Sequence, residues 1–247
     1  MMQAEGRKTK LIKNYVVIDL EMTGLNAKTD VILEVGAVRI REEKVTAAYT
    51  ALLNPRRRLS DQIVSLTGIT QDMADGGRDS EEVMTEFFAF LGEDVLIGQN
   101  LMFDYSFLKQ WAVNHNFLFE RQAVDTLKLA RRFLPEEEKK DLGSLCRYFG
   151  VERRNAHRAL DDATETWQIF EALKKRYGEQ EDAFVPKPLL YRAKKVTPAT
   201  ERQKQYLKQY ANYFGLKPPD ELAWMTRGEA SRLMDQWILQ YGRMPKT

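Results

Sequence analysis

The chain has 247 residues, of which 43% are hydrophobic and 30% are charged. These proportions are typical of a soluble globular protein and exclude a disordered or fibrous one. No apolar run approaches the roughly 18 residues that a membrane span needs, and the polar first dozen residues, predicted to be loose, lack the apolar core of a secretory signal. A single cysteine, Cys146, leaves no internal disulfide. A cytoplasmic protein without membrane partners is therefore expected.

The net charge of +2 is too small to indicate a partner, but the charges are unevenly distributed. Residues 1–177 carry 26 lysines and arginines against 28 aspartates and glutamates, whereas residues 178–247 carry 12 against 8. A carboxylate-rich segment followed by a basic one suits a polyanionic substrate. The alternative is that a small charge excess on a solvated segment has no functional meaning.

Three strands open the predicted fold. Residues 15–20 form a short apolar run rich in β-branched side chains, which predicts a buried strand. Residues 31–41 and 45–53 predict the second and third strands, and the few polar residues between them suit a hairpin. The sequence therefore predicts an antiparallel meander at the N-terminal side of the sheet.

Strand and helix patterns alternate after the meander. The predicted elements are a helix that begins at Ser80 and ends at Gly92, a strand over 95–98, and helices over 103–114, 124–133, 142–149 and 160–177. This order predicts an α/β fold with a mixed sheet and flanking helices. Cys146 is expected to be a small core residue.

The last seventy residues differ from the rest in composition. Residues 178–200 contain three prolines and a basic cluster, which predicts a linker. Residues 201–247 contain helical stretches that stop at Gly215 and Gly242, and they are too few to bury a large core. We therefore expect a catalytic domain over 1–177, a linker over 178–200 and a small helical module over 201–247 that packs against a neighbour.

Two carboxylates mark the end of the first predicted strand. Asp19 and Glu21 are two positions apart, so their side chains point to the same face of the strand. Carboxylates that are buried without a counter-ion are strongly unfavourable, and a divalent metal ion would remove this penalty. The pair alone is weak evidence, because a solvated strand end explains it equally well.

Three more residues lie at helix starts. Asp104 is in the first turn of the helix predicted over 103–114, and Asp162 is near the front of the longest helix, five residues after His157. Each aspartate alone is explained by compensation of the helix dipole. The only other histidine, His115, lies in a polar stretch and is predicted to be an ordinary surface residue.

Together, these residues resemble the three motifs of the DEDD (DnaQ-like) family of 3′→5′ exonucleases, histidine subtype. The motifs are Asp19-x-Glu21, Asn100-x-x-Phe103-Asp104 and His157-x-Ala159-x-x-Asp162, in the family's order and spacing. The resemblance covers about residues 13–177 and includes the proofreading exonucleases associated with replicative DNA polymerases. It implies a ribonuclease H-like fold. The stretch DLEMTGL over 19–25 is also similar to oligoribonucleases.

The resemblance also implies a mechanism, in which two divalent ions, Mg²⁺ or Mn²⁺, take part in phosphodiester hydrolysis. The ions would be held by four carboxylates, those of Asp19, Glu21, Asp104 and Asp162. His157 would accept a proton from the attacking water. The products would be nucleoside 5′-monophosphates, released from the 3′ end of single-stranded DNA.

The resemblance further places the last nucleotide of the substrate on the turn after the first motif. Thr23 and Gly24 would offer backbone contacts to the 3′ end, and Leu25 would press on the last base. Asn100 and Phe103 are also candidate substrate contacts, although a core role for Phe103 is an equal alternative. The basic run over 56–58 either follows the phosphates or is an ordinary solvated loop.

Three alternatives stay open from the sequence. The first is an exonuclease that acts on RNA 3′ ends or short oligoribonucleotides, because no contact to a 2′-hydroxyl is visible in a sequence. The second is an inactive nucleic-acid-binding module, which the intact set of five catalytic candidates disfavours. The third concerns the C-terminal module, which binds either nucleic acid or a protein such as a DNA polymerase or another replication or repair protein.

Overall fold

The computed structural model describes residues 11–153 and 156–245, and for Asp220 the backbone only. Residues 1–10 of the N-terminal segment that we predicted to be loose lie outside these ranges. In the described ranges, six strands form one sheet in the order β3-β2-β1-β4-β5-β6. The strands are β1 Tyr15–Met22, β2 Ile32–Arg41, β3 Lys44–Leu52, β4 Leu96–Gly98, β5 Gln122–Asp125 and β6 Lys187–Pro188.

The sheet is mixed, as predicted. Strands β1, β2 and β3 are antiparallel neighbours, which confirms the predicted meander. Strands β4 and β5 run parallel to β1, and β6 adds an antiparallel edge. The register of β1 against β2 sets Asp19 opposite Gly36 and Glu21 opposite Glu34.

Helices cover both faces of the sheet. They are α1 Asp61–Thr67, α2 Gln71–Asp75, α3 Ser80–Leu91, α4 Met102–Asn114, α5 Thr126–Phe133, α6 Leu142–Phe149, α7 Ala159–Tyr177, α8 Glu201–Phe214 and α9 Arg227–Tyr241. Alternate residues of β1 enter two different cores, Val16 and Ile18 beside α3 and α4, and Tyr15 and Val17 beside α6 and α7. Within the described residues, no helix is both long enough and apolar enough to cross a membrane.

Two parts of the predicted order differ from the structure. The pattern over 124–133 was predicted as one helix, but β5 ends at Asp125 and α5 begins after it. The side chain of Asp125 accepts a hydrogen bond from the backbone of Leu127, so it caps the helix and fixes its first residue. Helices α1 and α2 were not predicted. Each has only one or two turns, and each is capped by a hydroxyl side chain, that of Ser60 or Thr70.

The predicted linker is partly ordered against the sheet. Lys187 pairs with Ala123 in β5, and the 3-10 turn Glu181–Phe184 buries Phe184 in the core beside α7. Helices α8 and α9 follow and share a small apolar cluster of their own. The linker also contacts α4, because the backbone of Val196 donates a hydrogen bond to Asn114 at the end of that helix. The small module contacts the larger fold through Trp224, whose ring lies 5.4 Å from the Arg57 guanidinium.

The closest contact between the sheet and α7 is at Gly36. A Cβ atom added to Gly36 would lie 2.1 Å from the carbonyl carbon of Ala159, the first residue of α7. Since real Cβ atoms do not approach backbone so closely, only glycine lets the start of α7 rest on β2 at this point.

We predict that Gly36→Ala lowers the free energy of unfolding by about 1–3 kcal/mol, because the added methyl group must displace the backbone of α7. Gly76→Ala is the matched control, since its Cβ would meet nothing closer than 3.4 Å. Urea unfolding of both variants measures the difference. Equal stability of the two variants would contradict the close packing described here.

Candidate active site

The first motif lies at the carboxyl end of β1, in the middle of the sheet. Glu21 is buried and Asp19 is partly buried. Both side chains point to one face of the strand because they are two residues apart. The antiparallel partner β2 closes one side of this edge, so the two carboxylates point toward the start of α7.

The second motif reaches the same edge through α4. Asp104 is in the first turn of this helix and is 5% exposed. Its Oδ1 accepts a hydrogen bond of 3.0 Å from the backbone of Leu20, the residue between Asp19 and Glu21. The structure therefore brings the first and second motifs into direct contact, although 84 positions separate the bonded residues.

The third motif lies at the start of α7. Asp162 is buried in the first turn of the helix, and the backbone of His157 donates a hydrogen bond of 3.3 Å to its Oδ2. Ligand atoms of Glu21, His157 and Asp162 all lie within 4.8 Å of one another. His157 has a φ of 63°, so the loop turns sharply before the helix begins. The sequence-predicted candidates of motifs one and three thus share one site.

The carboxylates of this site repel one another. Burial raises the pKa of Asp19 well above its usual range, and the charges of Asp104, Asp162 and Glu21 raise it further. Burial also raises the pKa of Glu21 to about 8, with added repulsion from Asp162 and Glu34. The pKa of Asp104 is raised to about 7, mainly by burial. The site is therefore an accumulation of negative charge that lacks sufficient compensation.

Cations compensate only one side of the cluster. Arg153 donates hydrogen bonds of 3.1 Å to Asp162 and to the buried Glu165. Within the described ranges, no lysine or arginine forms an ion pair with Asp19, Glu21 or Asp104. Oxygen donors in this number, with raised pKa values and too few protein cations, are the ligand set that hard divalent ions such as Mg²⁺ and Mn²⁺ prefer. The residues present therefore fit a divalent-metal site.

Glu34 is a functional candidate that the sequence analysis did not identify. It is 2% exposed on β2 and accepts hydrogen bonds from the Arg158 guanidinium at 2.7 Å and from the Ala159 backbone at 3.1 Å. These bonds anchor the start of α7 at Ala159, three residues before Asp162. The sequence shows Glu34 only as a charged residue between apolar ones at the start of β2, which does not reveal its distant partners.

The turn after β1 holds three of the predicted substrate contacts. The Thr23 backbone donates to the carbonyl of Val31 at 2.9 Å, which closes the turn. A Cβ on Gly24 would lie 2.5 Å from the Asp30 carboxylate, so the turn leaves room only for glycine. Leu25 is 84% exposed, so its side chain is available to a ligand rather than to the core.

The remaining two predicted contacts lie at the start of α4. The side chain of Asn100 is exposed, and its backbone, at a φ of 55°, donates a hydrogen bond of 3.1 Å to Asp125. Phe103 is partly buried, and its ring meets that of Phe107 edge to face with 5.5 Å between centroids. The expectation for Cys146 is confirmed, since its thiol is buried.

This fold and residue pattern define a class of enzyme. Residues 16–170 match the RNase T family model, described as an exonuclease. The chain therefore belongs to this exonuclease family. The predicted family and enzyme class are confirmed, as is the ribonuclease H-like fold.

The chain is similar to part of larger enzymes. It is 40% identical over 157 residues to the PolC-type DNA polymerase III of Thermotoga petrophila. The aligned region covers 63% of this chain and 11% of the polymerase. The chain thus spans about a tenth of the length of such curated relatives. A solved structure of E. coli exonuclease I with single-stranded DNA aligns with a TM-score of 0.62 at 19% identity, over 69% of this chain and 42% of that one.

A second solved structure matches in length as well. Exonuclease X in complex with 5′ overhanging duplex DNA aligns with a TM-score of 0.55 at 25% identity. The alignment covers 69% of this chain and 99% of exonuclease X. About three tenths of this chain therefore lies outside the alignment with that structure.

We predict that, in a chelator, the protein loses stability as pH rises from about 5 to 8. The folded state raises the pKa of Glu21 from 4.5 to about 8, so between these values the folded state binds more protons than the unfolded one. Stability is therefore present at low pH and declines by about 1 kcal/mol or more as the pH approaches the folded-state pKa.

Thermal unfolding at several pH values measures this decline. Glu21→Gln should flatten the curve, because the substituted side chain does not ionise. Glu137→Gln, at an exposed position, should leave the curve unchanged. A wild-type protein that becomes more stable with rising pH over this window would show that the carboxylates are not electrostatically strained.

Proposed function

We propose that the protein is a metal-dependent 3′→5′ exonuclease that releases nucleoside 5′-monophosphates from single-stranded DNA. The observation that carries this proposal is the convergence of Asp19, Glu21, Asp104, His157 and Asp162 on one edge of the sheet. Membership of the exonuclease family and the single-stranded DNA in the exonuclease I complex support it.

The four carboxylates would hold two divalent ions, Mg²⁺ or Mn²⁺. Such a pair of ions lowers the pKa of an attacking water and stabilises the developing charge on the phosphate and the leaving oxygen. Asp19 is the residue on which the charges of Glu21, Asp104 and Asp162 act together, so its carboxylate would be one of the groups that hold the ions. Bound cations would remove the repulsion that raises the pKa values of these groups.

His157 would accept the proton of the attacking water. A ring nitrogen of His157 lies with carboxylate oxygens of Glu21 and Asp162, which is the right neighbourhood for a base that acts on water at the site. An imidazole titrates near neutral pH, so it accepts and returns a proton at little free-energy difference. The sharp loop at His157 sets the ring beside the carboxylates instead of along α7.

The exposed turn after β1 would bind the 3′ end. Leu25 has its side chain in solvent on this turn, and Phe103 is partly buried in the first turn of α4. A terminal nucleotide held by the aliphatic side chain of Leu25 and the ring of Phe103 would make apolar and stacking contacts that do not depend on base identity. The turn itself is closed by the hydrogen bond from the Thr23 backbone to Val31.

We predict that a 5′-labelled single strand is shortened to a descending ladder of products, with Mg²⁺ or Mn²⁺ required and a chelator inhibitory. A blunt duplex should be degraded more slowly, because its terminal pair must open, which takes a few kcal/mol. Matched DNA and RNA oligomers, assayed side by side, identify the preferred sugar. Early release of the label as a mononucleotide, or cutting of a closed circle, would contradict the proposed polarity.

We predict that Asp19→Asn and Asp104→Asn each lower kcat by several orders of magnitude, because the loss of one ligand removes charge stabilisation of the transition state. Both variants should remain folded, since each removes a repelled charge without removing volume. His157→Ala should lower kcat strongly while leaving DNA binding nearly unchanged.

The matched control is Asp61→Asn, at an exposed position on α1, which should keep the wild-type kcat. Steady-state kinetics on a short oligomer and circular dichroism of each variant are the measurements. Wild-type activity in either aspartate variant would remove that residue from the proposed site, and an unchanged rate in His157→Ala would require another base.

A further inference from the structure

A cleft lies beside the candidate active site. It has a volume of about 540 Å³ and opens between the turn that follows β1, the outer half of α4 and the C-terminal module. The module contributes Trp224, whose ring lies 5.4 Å from the Arg57 guanidinium. The C-terminal part of the chain supplies one side of the cleft through Val196, Pro198, Trp224 and Thr226.

Two side chains beside the cleft hold its walls in place. Gln110 is 1% exposed, and its Nε2 donates hydrogen bonds of 2.9 Å to the carbonyl of Lys194 and to Asn114. Arg57 donates a hydrogen bond of 2.7 Å to the carbonyl of Thr29. These bonds join α4 to the segment before α8, and the turn after β1 to the loop that contains Arg57.

Four aromatic side chains contribute to the walls of the cleft. Trp111 in α4 and His115, directly after the end of this helix, stack with 3.9 Å between ring centroids. His115, which we predicted to be an ordinary surface residue, is exposed and also lies 3.7 Å from Glu81. Together with Trp224 on the opposite side, these rings form flat surfaces on which planar groups stack.

Cations lie along the rim. Lys28 and Arg56 are exposed and line the cleft. The acidic residues nearby are partly engaged: Asp30 accepts a hydrogen bond from the Asn26 backbone, and Asp79 caps α3 and pairs with Arg56 at 2.6 Å. Lys28 and the face of Arg56 directed away from Asp79 are therefore available to an anion.

The cleft neighbours the candidate active site on two sides. Phe107 lines the cleft and is in ring contact with Phe103 at the site. Residues 27–32 also line the cleft, and they begin two positions after Leu25. A strand whose last nucleotide lies at Leu25 and Phe103 therefore has this cleft within reach of its upstream nucleotides.

We propose that this cleft binds the upstream nucleotides of the single-stranded polynucleotide whose 3′ end is in the active site. Bases stack on the Trp111–His115 pair and on Trp224, and phosphates meet the cations of the rim. The inference rests on the proposed function, and it assigns to the C-terminal module a role in substrate length preference.

The test measures binding of fluorescent oligodeoxyuridylates and oligouridylates, which differ only in the sugar, of 2 to about 12 nucleotides in a chelator, where no strand is degraded. In the wild-type protein, affinity should rise steeply once the strand is long enough to leave the active site and enter the cleft. The weaker of the two series identifies the disfavoured sugar.

Two double variants separate the cleft from general electrostatics. Lys28→Gln/Arg56→Gln should weaken binding of the longest strands about 5-fold or more, make the salt dependence shallower and leave the shortest strands unchanged. Lys44→Gln/Arg202→Gln removes the same charge at exposed positions elsewhere and should have little effect. Equal weakening in both doubles, or equal weakening of all lengths, would overturn the proposal.

A crosslinking measurement on the wild-type protein avoids any effect of substitution on folding. Strands with a single photoreactive thiothymidine should crosslink to peptides that contain Trp111 or Trp224 when that base lies several nucleotides from the 3′ end. Crosslinks of upstream bases only to other parts of the chain would overturn the proposal. The proposed function is tested separately by hydrolysis assays. A protein that binds long strands in the cleft but degrades none would contradict the exonuclease activity and leave the binding role of the cleft standing.

Discussion

Repulsion between buried carboxylates at the end of β1 is the constraint on which the rest of the site depends. Asp19, Glu21 and Asp104 are held at one edge of the sheet although burial and mutual charge raise their pKa values. A fold that keeps such groups together must hold them by rigid contacts elsewhere. The central position of β1, with β2 and β4 hydrogen-bonded on its two sides, provides that rigidity.

The second requirement is the exact position of α7, which supplies the opposite wall. Gly36 lets the helix start touch β2, and Glu34 bonds to the Arg158 side chain and the Ala159 backbone. Glu34 is directly opposite Glu21 in the register of β1 and β2. The same strand pair therefore holds the candidate ligand Glu21 and the residue that anchors the helix of the candidate ligand Asp162. Arg153, bonded to Asp162 and Glu165, holds the same helix from the other side. The packing of α7 is thus a catalytic feature as much as a structural one.

The sequence predicted the parts of the fold in which local pattern and tertiary role agree. Strand β1, the meander and α7 have apolar patterns that match their burial, so their bounds were predicted to within about two residues. Helices α1 and α2 escaped prediction because so short a segment has no full hydrophobic period, and their caps at Ser60 and Thr70 are recognisable only once the helix is known. Glu34 was missed for a related reason: its partners are 124 and 125 positions away, and no local pattern shows them.

The position of the C-terminal module suggests a physical role for the uneven charge distribution along the chain. The carboxylate-rich part of the chain concentrates negative charge at the site, and that charge repels a polyanion as well as itself. A substrate strand therefore needs attraction at a distance from the carboxylates. The excess of basic residues lies beyond residue 178, and Lys28, Arg56 and Arg57 line the cleft to which Trp224 contributes. Binding at that distance raises the local concentration of the strand without compensating the carboxylates themselves, so the charges that would hold metal ions stay available to them.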